Sequence, residues 1–146
     1  MLTDVLGQCK IVDSIITRGS VDVNGASADV RGFQSVLIRA SFAAAGDTFA
    51  ASTLYSDIEL EHCDDNSTWV DCSNADLSAY VTSTASNTGT LCEVDANAEA
   101  GQAYTARYIG SKRYVRAVLN ITGTHTNGTA TAVQFMLSAS KDVPVV

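Results

Sequence analysis

At 146 residues, 46% of them hydrophobic and only 17% charged, the chain carries enough apolar material for one domain-sized core and lacks the low-hydrophobicity, high-charge signature of disorder. Its net charge of −7 argues against nucleic acid as a partner, because holding a phosphate backbone needs a positive surface that releases counterions. No apolar run approaches the ~20 residues of a membrane-spanning helix, and Met1-Leu2-Thr3-Asp4 has neither the basic nor the apolar region of a signal peptide, so no membrane partner is expected.

Taken in chain order, almost nothing has helical periodicity. Ser14 to Val23, with Ile15-Ile16-Thr17 and then Val21 and Val23, reads as a strand; Asn24-Gly25 and Gly32 mark turns. Gln34 to Phe42 contains Val36-Leu37-Ile38, apolar enough for a central strand. Asp57 to Cys63 alternates, with Ile58 and Leu60 inward and Asp57, Glu59 and Glu61 outward. Asp64-Asp65-Asn66-Ser67 is turn chemistry, and Thr68-Trp69-Val70 begins a return strand. A four-residue loop there sets His62 opposite Trp69 and Cys63 opposite Thr68, which puts Trp69 on the inner face with Ile58 and Leu60. Cys72 then falls opposite Glu59, too far from Cys63 for a disulfide.

Ser73 to Gly101 is rich in Ser, Thr, Asn and Ala and reads as a long excursion, with Leu91-Cys92-Glu93-Val94 as a short strand. Gln102 to Ile109, Arg113 to Thr122 and Thr129 to Ser140 are three further strands. Gly110-Ser111-Lys112 joins the first two as a tight turn, and the loop from Gly123 to Gly128 joins the second and third. A two-residue Asn127-Gly128 turn would set Leu119 opposite Met136. A three-residue loop with Gly128 left-handed instead sets Ile121 opposite Val133, Leu119 opposite Phe135 and Ala117 opposite Leu137. The second register leaves one wholly apolar face and is the one expected. The whole predicts a single all-β domain over residues 1–146, an antiparallel β-sandwich of about seven to nine strands, of which a jelly roll is one form.

Chemistry is sparse. Cys9, Cys63, Cys72 and Cys92 match no zinc spacing and read as reduced, partly buried thiols, with a disulfide as the rival reading. The two histidines, His62 and His125, fall at a strand end and in a Thr-rich loop. Among so many serines and aspartates a Ser–His–Asp triple arises by chance, so no catalytic residue is expected and the chain is not read as an enzyme. Asp64-Asp65-Asn66 invites calcium but lacks the spacing and downstream Glu of a calcium loop, leaving a solvated turn. No metal ligand, cofactor or cofactor-binding residue is expected. Trp69 reads as a sheet-packing residue, or else as a stacking platform for a sugar ring, with Tyr55, Tyr80, Tyr104, Tyr108 and Tyr114 as scattered further platforms. The three Asn-x-Ser/Thr sites at Asn66, Asn120 and Asn127 mean little without a secretory signal.

Seven of the 16 acidic residues lie between Asp57 and Asp76, while Arg107, Lys112, Arg113 and Arg116 cluster. Neighbouring strands that pair these charges, or a polar face for a protein partner, would each account for that. Two stretches also carry a resemblance. They are Ser56-Asp57-Ile58-Glu59-Leu60-Glu61-His62 with Asp64-Asp65-Asn66-Ser67-Thr68-Trp69, and Lys112-Arg113-Tyr114-Val115-Arg116 with Thr122-Gly123-Thr124-His125-Thr126-Asn127-Gly128-Thr129. Together they resemble small proteins encoded among the head and structural genes of tailed phages and prophages. Val21-Asp22-Val23-Asn24-Gly25 and Asp29-Val30-Arg31-Gly32-Phe33 are similar to an upstream pattern of that family. Asn66, where Gly is common, and Cys63, where Ser is common, depart from it.

The resemblance implies a virion component, most like a capsid decoration (cement) protein. Such a protein would be made in the bacterial host cytoplasm, sit as a homotrimer on the outer capsid surface and clamp the major capsid protein of neighbouring capsomers. A phage tail or adsorption component and a carbohydrate-binding β-sandwich module are the rivals. Partner contacts are expected in the N-terminal arm 1–11 (Met1 to Ile11), the loop Ala43 to Thr53 and the C-terminal arm 141–146 (Lys141 to Val146).

Overall fold

Side chains along Thr129–Ser138 alternate buried and half-buried without a break, the pattern a strand shows when one face meets a core. The same alternation organises the whole computed structural model, which describes residues 9–43, 46–78 and 89–138. Its strands are β1 (Cys9–Gly19), β2 (Val23–Asn24), β3 (Ala28–Asp29), β4 (Ser35–Phe42), β5 (Tyr55–Cys63), β6 (Val70–Asp71), β7 (Leu77–Ser78), β8 (Thr90–Val94), β9 (Ala103–Tyr108), β10 (Tyr114–Thr122) and β11 (Thr129–Ser138). Seven of these eleven run five residues or more, and the other four have two residues each. The count from periodicity therefore matches the long strands, since a two-residue strand has no period to read.

The strands form two antiparallel sheets, one in the order β1-β11-β4-β9-β7. The other runs β2-β10-β5-β6, with β3 beside β2 along β10 and β8 beside β6 along β5. The pairs β1–β11, β2–β10, β4–β9 and β5–β8 are those of one long hairpin folded back on itself. Rolling that hairpin adds the pairs β11–β4 and β10–β5. The result is a β-sandwich of jelly-roll topology, in which β9, β10 and β11 alternate between the sheets. Ile38, Phe42, Ile58, Leu60, Leu91, Leu119, Phe135 and Leu137 fill the space between, each at most 2% exposed. Burial of each such side chain stabilises the fold by roughly 1.5–3 kcal/mol.

That topology corrects two expected turns. Neither the connection around Gly110 nor that from Gly123 to Gly128 closes a hairpin; both carry the chain across the sandwich. Leu119 pairs with Ile58 and Ala117 with Leu60, whereas Val133, Phe135 and Leu137 pair with Ala40, Ile38 and Val36. The residues assigned to one apolar face do point at one core, but from opposite sides of it. Gly123 holds φ +85°, and a Cβ there would sit 2.3 Å from the Thr53 carbonyl oxygen, so the crossing loop lies tight against the preceding one.

Three other expectations shift. The first strand begins at Cys9 rather than Ser14 and ends before Val21. A bulge turns Ser14 inward, where its hydroxyl donates to the Ala26 carbonyl (2.8 Å) and accepts from the Ala117 N–H (3.2 Å). The return strand after Asp64 starts at Val70, because the Asp65 carboxylate binds the N–H groups of Ser67 and Thr68 and withholds them from the ladder. His62 thus faces Val70, and Trp69 moves to the outer side of the sheet. Finally, the loop Ala43 to Thr53, in which partner contacts are expected, contributes Phe49, 6% exposed, to the core. Residues 1–8 and 44–45 and the whole of 141–146 lie outside the described residues, while Cys9, Lys10 and Ile11 pair with β11.

Candidate functional site

Each group that the sequence offers for chemistry has a definite place. His62, on the inner side of β5, has its Nδ1 3.0 Å from the Tyr108 hydroxyl, and their rings meet edge to face. That hydroxyl also accepts the Lys112 N–H at 3.2 Å, so the pair fastens the β9–β10 crossing to β5. Burial pushes the Tyr108 phenol well above its ordinary range.

His125 sits in the other crossing, 5% exposed. Its Nε2 lies 3.2 Å from the Thr122 carbonyl and 3.4 Å from that of Tyr55, two acceptors, so Nε2 carries the proton. Its Nδ1 lies 3.4 Å from the Thr129 hydroxyl and 3.7 Å from Asp47, and Thr129 meets the Ser56 hydroxyl at 3.2 Å. Hydroxyl, imidazole and carboxylate gather here, but Thr129 and Asp47 approach the same ring nitrogen, so the imidazole does not stand between them as a Ser–His–Asp triple requires. Thr129 (2% exposed) and Ser56 (0%) are closed off from any substrate. The cluster instead ties the β4–β5 and β10–β11 connections to the start of β5 at one end of the sandwich.

The thiols of Cys72 and Cys92 lie in the core, and burial pushes both far above the usual thiol range, which disfavours the nucleophilic thiolate. Cys63 is also buried, Cys9 half-buried, and all four are free thiols. At the acidic turn Asp65 accepts from the N–H groups of Ser67 and Thr68 and from the Thr68 hydroxyl, at 2.7–2.9 Å. These bonds hold its carboxyl at about 2, and Asn66 takes the left-handed conformation, φ +57°. The carboxylate is thus used to build the turn. Among the described residues no group of three His, Cys, Asp or Glu side chains gathers for a metal.

What remains is the outer surface, and it is divided by charge. The outer side of β10 and β5 carries Asp57, Glu59 and Glu61, with Asp71 of β6 and Glu93 of β8 in register beside them. Arg116 reaches across from β10 to Glu61 (2.6 Å) and lays its guanidinium 4.4 Å over the Trp69 ring. Nearby, Lys112 pairs with Asp64 and Arg113 with Asp29. Of the clustered charges, Arg116 and Glu61 are thus cross-strand neighbours and Lys112 and Asp64 pair between two loops, whereas Arg113 pairs outside the acidic run and Arg107 lies in the other sheet, so the simpler of the two readings holds in part.

Asp57 and Glu59 form a knot of negative charge that, among the described residues, is bridged by an amide rather than by a cation. The Asn120 amide donates to both Asp57 (2.9 Å) and Glu59 (3.1 Å). Burial, reinforced by Glu59, Glu93 and Asp22, raises Asp57 to about 6 against the pull of Asn120. Burial likewise raises Glu59. Alternation alone puts these carboxylates outward, but their bridge is not legible in it, because Asn120 meets them only through the β10–β5 register.

The outer side of the other sheet is different in kind. By register it presents Arg18, Arg39 and Arg107, with Asp13 bonded to Gln134 at 2.7 Å. Between these lie Ile11 (59% exposed), Ile16 (70% exposed), Leu37 and Met136. Small side chains at Ser41, Ala130 and Ala132 leave a shallow groove beside Ile16.

No family model and no curated protein matches the chain. Among solved structures, the crystal structure of the SPBc2 prophage-derived protein YomS is similar to it, with a TM-score of 0.48 and 12% identity over 90% of this chain and 93% of that one.

Proposed function

We propose that this chain is a structural protein of a tailed-phage virion, a capsid decoration protein that binds the major capsid protein on the outer shell and clamps neighbouring capsomers. One observation carries the reading. The two stretches that resemble such proteins, far apart in sequence, touch each other repeatedly in the fold. Ser56 meets Thr129 at 3.2 Å, Glu61 meets Arg116 at 2.6 Å, Asp64 meets Lys112 at 2.6 Å, and Trp69 lies under Arg116. The resemblance thus falls on residues in mutual contact, and apart from the buried Ser56–Thr129 pair these contacts lie on the charged outer side of one sheet and its flanking loops.

The role needs no reaction. A protein that binds only the assembled lattice stabilises that lattice by its binding free energy. A non-catalytic role also fits two buried histidines held in structural hydrogen bonds. The jelly roll itself does not choose among functions, since both viral shell proteins and sugar binders use it. The homotrimer and the outer-capsid location come from the resemblance alone.

The test is copy number in purified particles of the phage, by quantitative gel densitometry. A decoration protein is present in hundreds of copies, a tail component in a few. Absence from the particle would end the reading. The outward Trp69 favours one second reading, a glycan binder, although Arg116 occupies one face of its ring. A change of Trp69 fluorescence on a sugar panel would support that reading instead.

A further inference from the structure

The geometry points to association of this chain with further copies of itself, face to back. The arginine-bearing apolar face of the β1–β11–β4–β9 sheet of one copy would dock on the carboxylate-bearing face of the β10–β5 sheet of the next. This goes beyond the virion reading and does not rest on it, because it is a property of the isolated protein.

The two faces are complementary in charge. Among the described residues, one face holds Arg18, Arg39 and Arg107 against a single acid, Asp13, in a protein whose net charge is −7. The opposite face holds Asp57, Glu59, Glu61 and Asp71 around Arg116. Arg116 is already committed to Glu61. Burial, then Asp71 and Glu61, keep the half-exposed Glu59 carboxyl raised, and a guanidinium brought against it would relieve that, with the buried Asp57 adding to the negative potential from beneath.

Ile11 and Ile16, with the shallow groove between Ser41, Ala130 and Ala132, supply an apolar centre ringed by charge, as specific interfaces have. The half-exposed rings of Tyr114 and Trp69 lie among the carboxylates on the opposite face. Joining two copies through like faces would set arginine against arginine, or carboxylate against carboxylate, and like charges opposed across an interface are costly. The face-to-back arrangement alone matches signs.

It also has a geometric consequence. The two faces look in opposite directions across the sandwich, so the contact is heterologous and its repetition builds an open stack rather than a closed ring. Association through these faces should therefore increase continuously with concentration, beyond any closed homotrimer made through other surfaces.

The experiment is sedimentation of the full chain over a range of concentration and salt. Expected is a concentration-dependent rise in mass that weakens as salt increases. Arg39→Glu and Glu59→Arg, each on an exposed or half-exposed outer position, should each weaken association by about tenfold or more. An equimolar mixture of the two should restore it, since each supplies the sign the other has lost. Should Glu59→Arg fail to fold by circular dichroism, Asp71→Arg on the same face takes its place.

A protein that stays monomeric at every salt and concentration would overturn the proposal. So would a discrete, salt-insensitive trimer, or an effect of Arg39→Glu with none from the carboxylate-face variants. The last of these would mean that like faces meet.

Discussion

Replacing Asp57 by asparagine tests the electrostatics of the acidic face directly. Asp57 is 5% exposed on the outer side of a central strand, and its carboxyl is raised from 3.8 to about 6, first by burial and then by Glu59, Glu93 and Asp22. A displacement of that size corresponds to a ceiling of roughly 3 kcal/mol against the folded state at neutral pH. Local relaxation and screening of the neighbouring charges reduce this to about 1–2 kcal/mol. The sign follows from proton binding. Below pH 3.8 the group is protonated in both states and costs nothing. Between 3.8 and about 6 the unfolded chain ionises while the native one holds its proton, so stability falls as pH rises, and above 6 the full penalty persists.

The substituted amide would stay neutral throughout and would keep an oxygen to accept the Asn120 N–H. Urea denaturation at pH 7 should therefore find Asp57→Asn more stable than the parent by about 1–2 kcal/mol. At pH 4 the two should nearly coincide, and subtracting the two pH profiles cancels what Glu59 and Glu93 contribute. A variant that is less stable at pH 7, or that gains equally at both pH values, would refute this account of Asp57.

Three further outcomes are expected. Gly25→Ala should cost about 2–4 kcal/mol in chemical denaturation, because the new Cβ would lie 2.4 Å from the Ser14 hydroxyl and 2.8 Å from both the Ala117 carbonyl and Ile15. Trp69→Ala should cost only about 1–2 kcal/mol, the loss of a cation–π contact and some packing on the outer face. A cost of about 3–5 kcal/mol, typical of a core aromatic, would show Trp69 to be inside. In a thiol-reagent time course Cys9, the half-buried thiol, should react first, with Cys63, Cys72 and Cys92 reacting only as the protein unfolds. More than one fast thiol in the native protein would contradict the packing of β5 and β8.

How far the sequence could be read follows from which interactions are local. Alternation is local, and it identified Ile58, Leu60, Leu119, Phe135 and Leu137 as inward-facing; all are core. Val36-Leu37-Ile38 marked β4, which does lie between two partners in its sheet. The turn at Asp64-Asp65 was legible too, but not its length. That depended on a side chain bonding two backbone N–H groups, and the one-residue slip was enough to carry Trp69 from the inner face to the outer. Neither histidine's role was visible, since the partners of His62 and His125 come mostly from distant strands and loops.

Pairing is not local, and connection length could not supply it. Six residues, Gly123 to Gly128, reach up to ~20 Å when extended, while packed sheets stand only ~10 Å apart. The same segment can therefore close a hairpin or cross to the other sheet. Both arrangements bury Ala117, Leu119, Val133, Phe135 and Leu137, so hydrophobic pattern cannot choose between them. The choice is made by contacts such as His125 with Tyr55 and Thr129 with Ser56, which bind the crossing to β5. For the same reason the division of charge was hidden. Arg39 and Glu59 each stand at an outward position by period two, but only the sheet that each strand joins decides whether they share a surface. The roll places β4 and β5 in different sheets, and so sends Arg39 and Glu59 to opposite sides of the molecule.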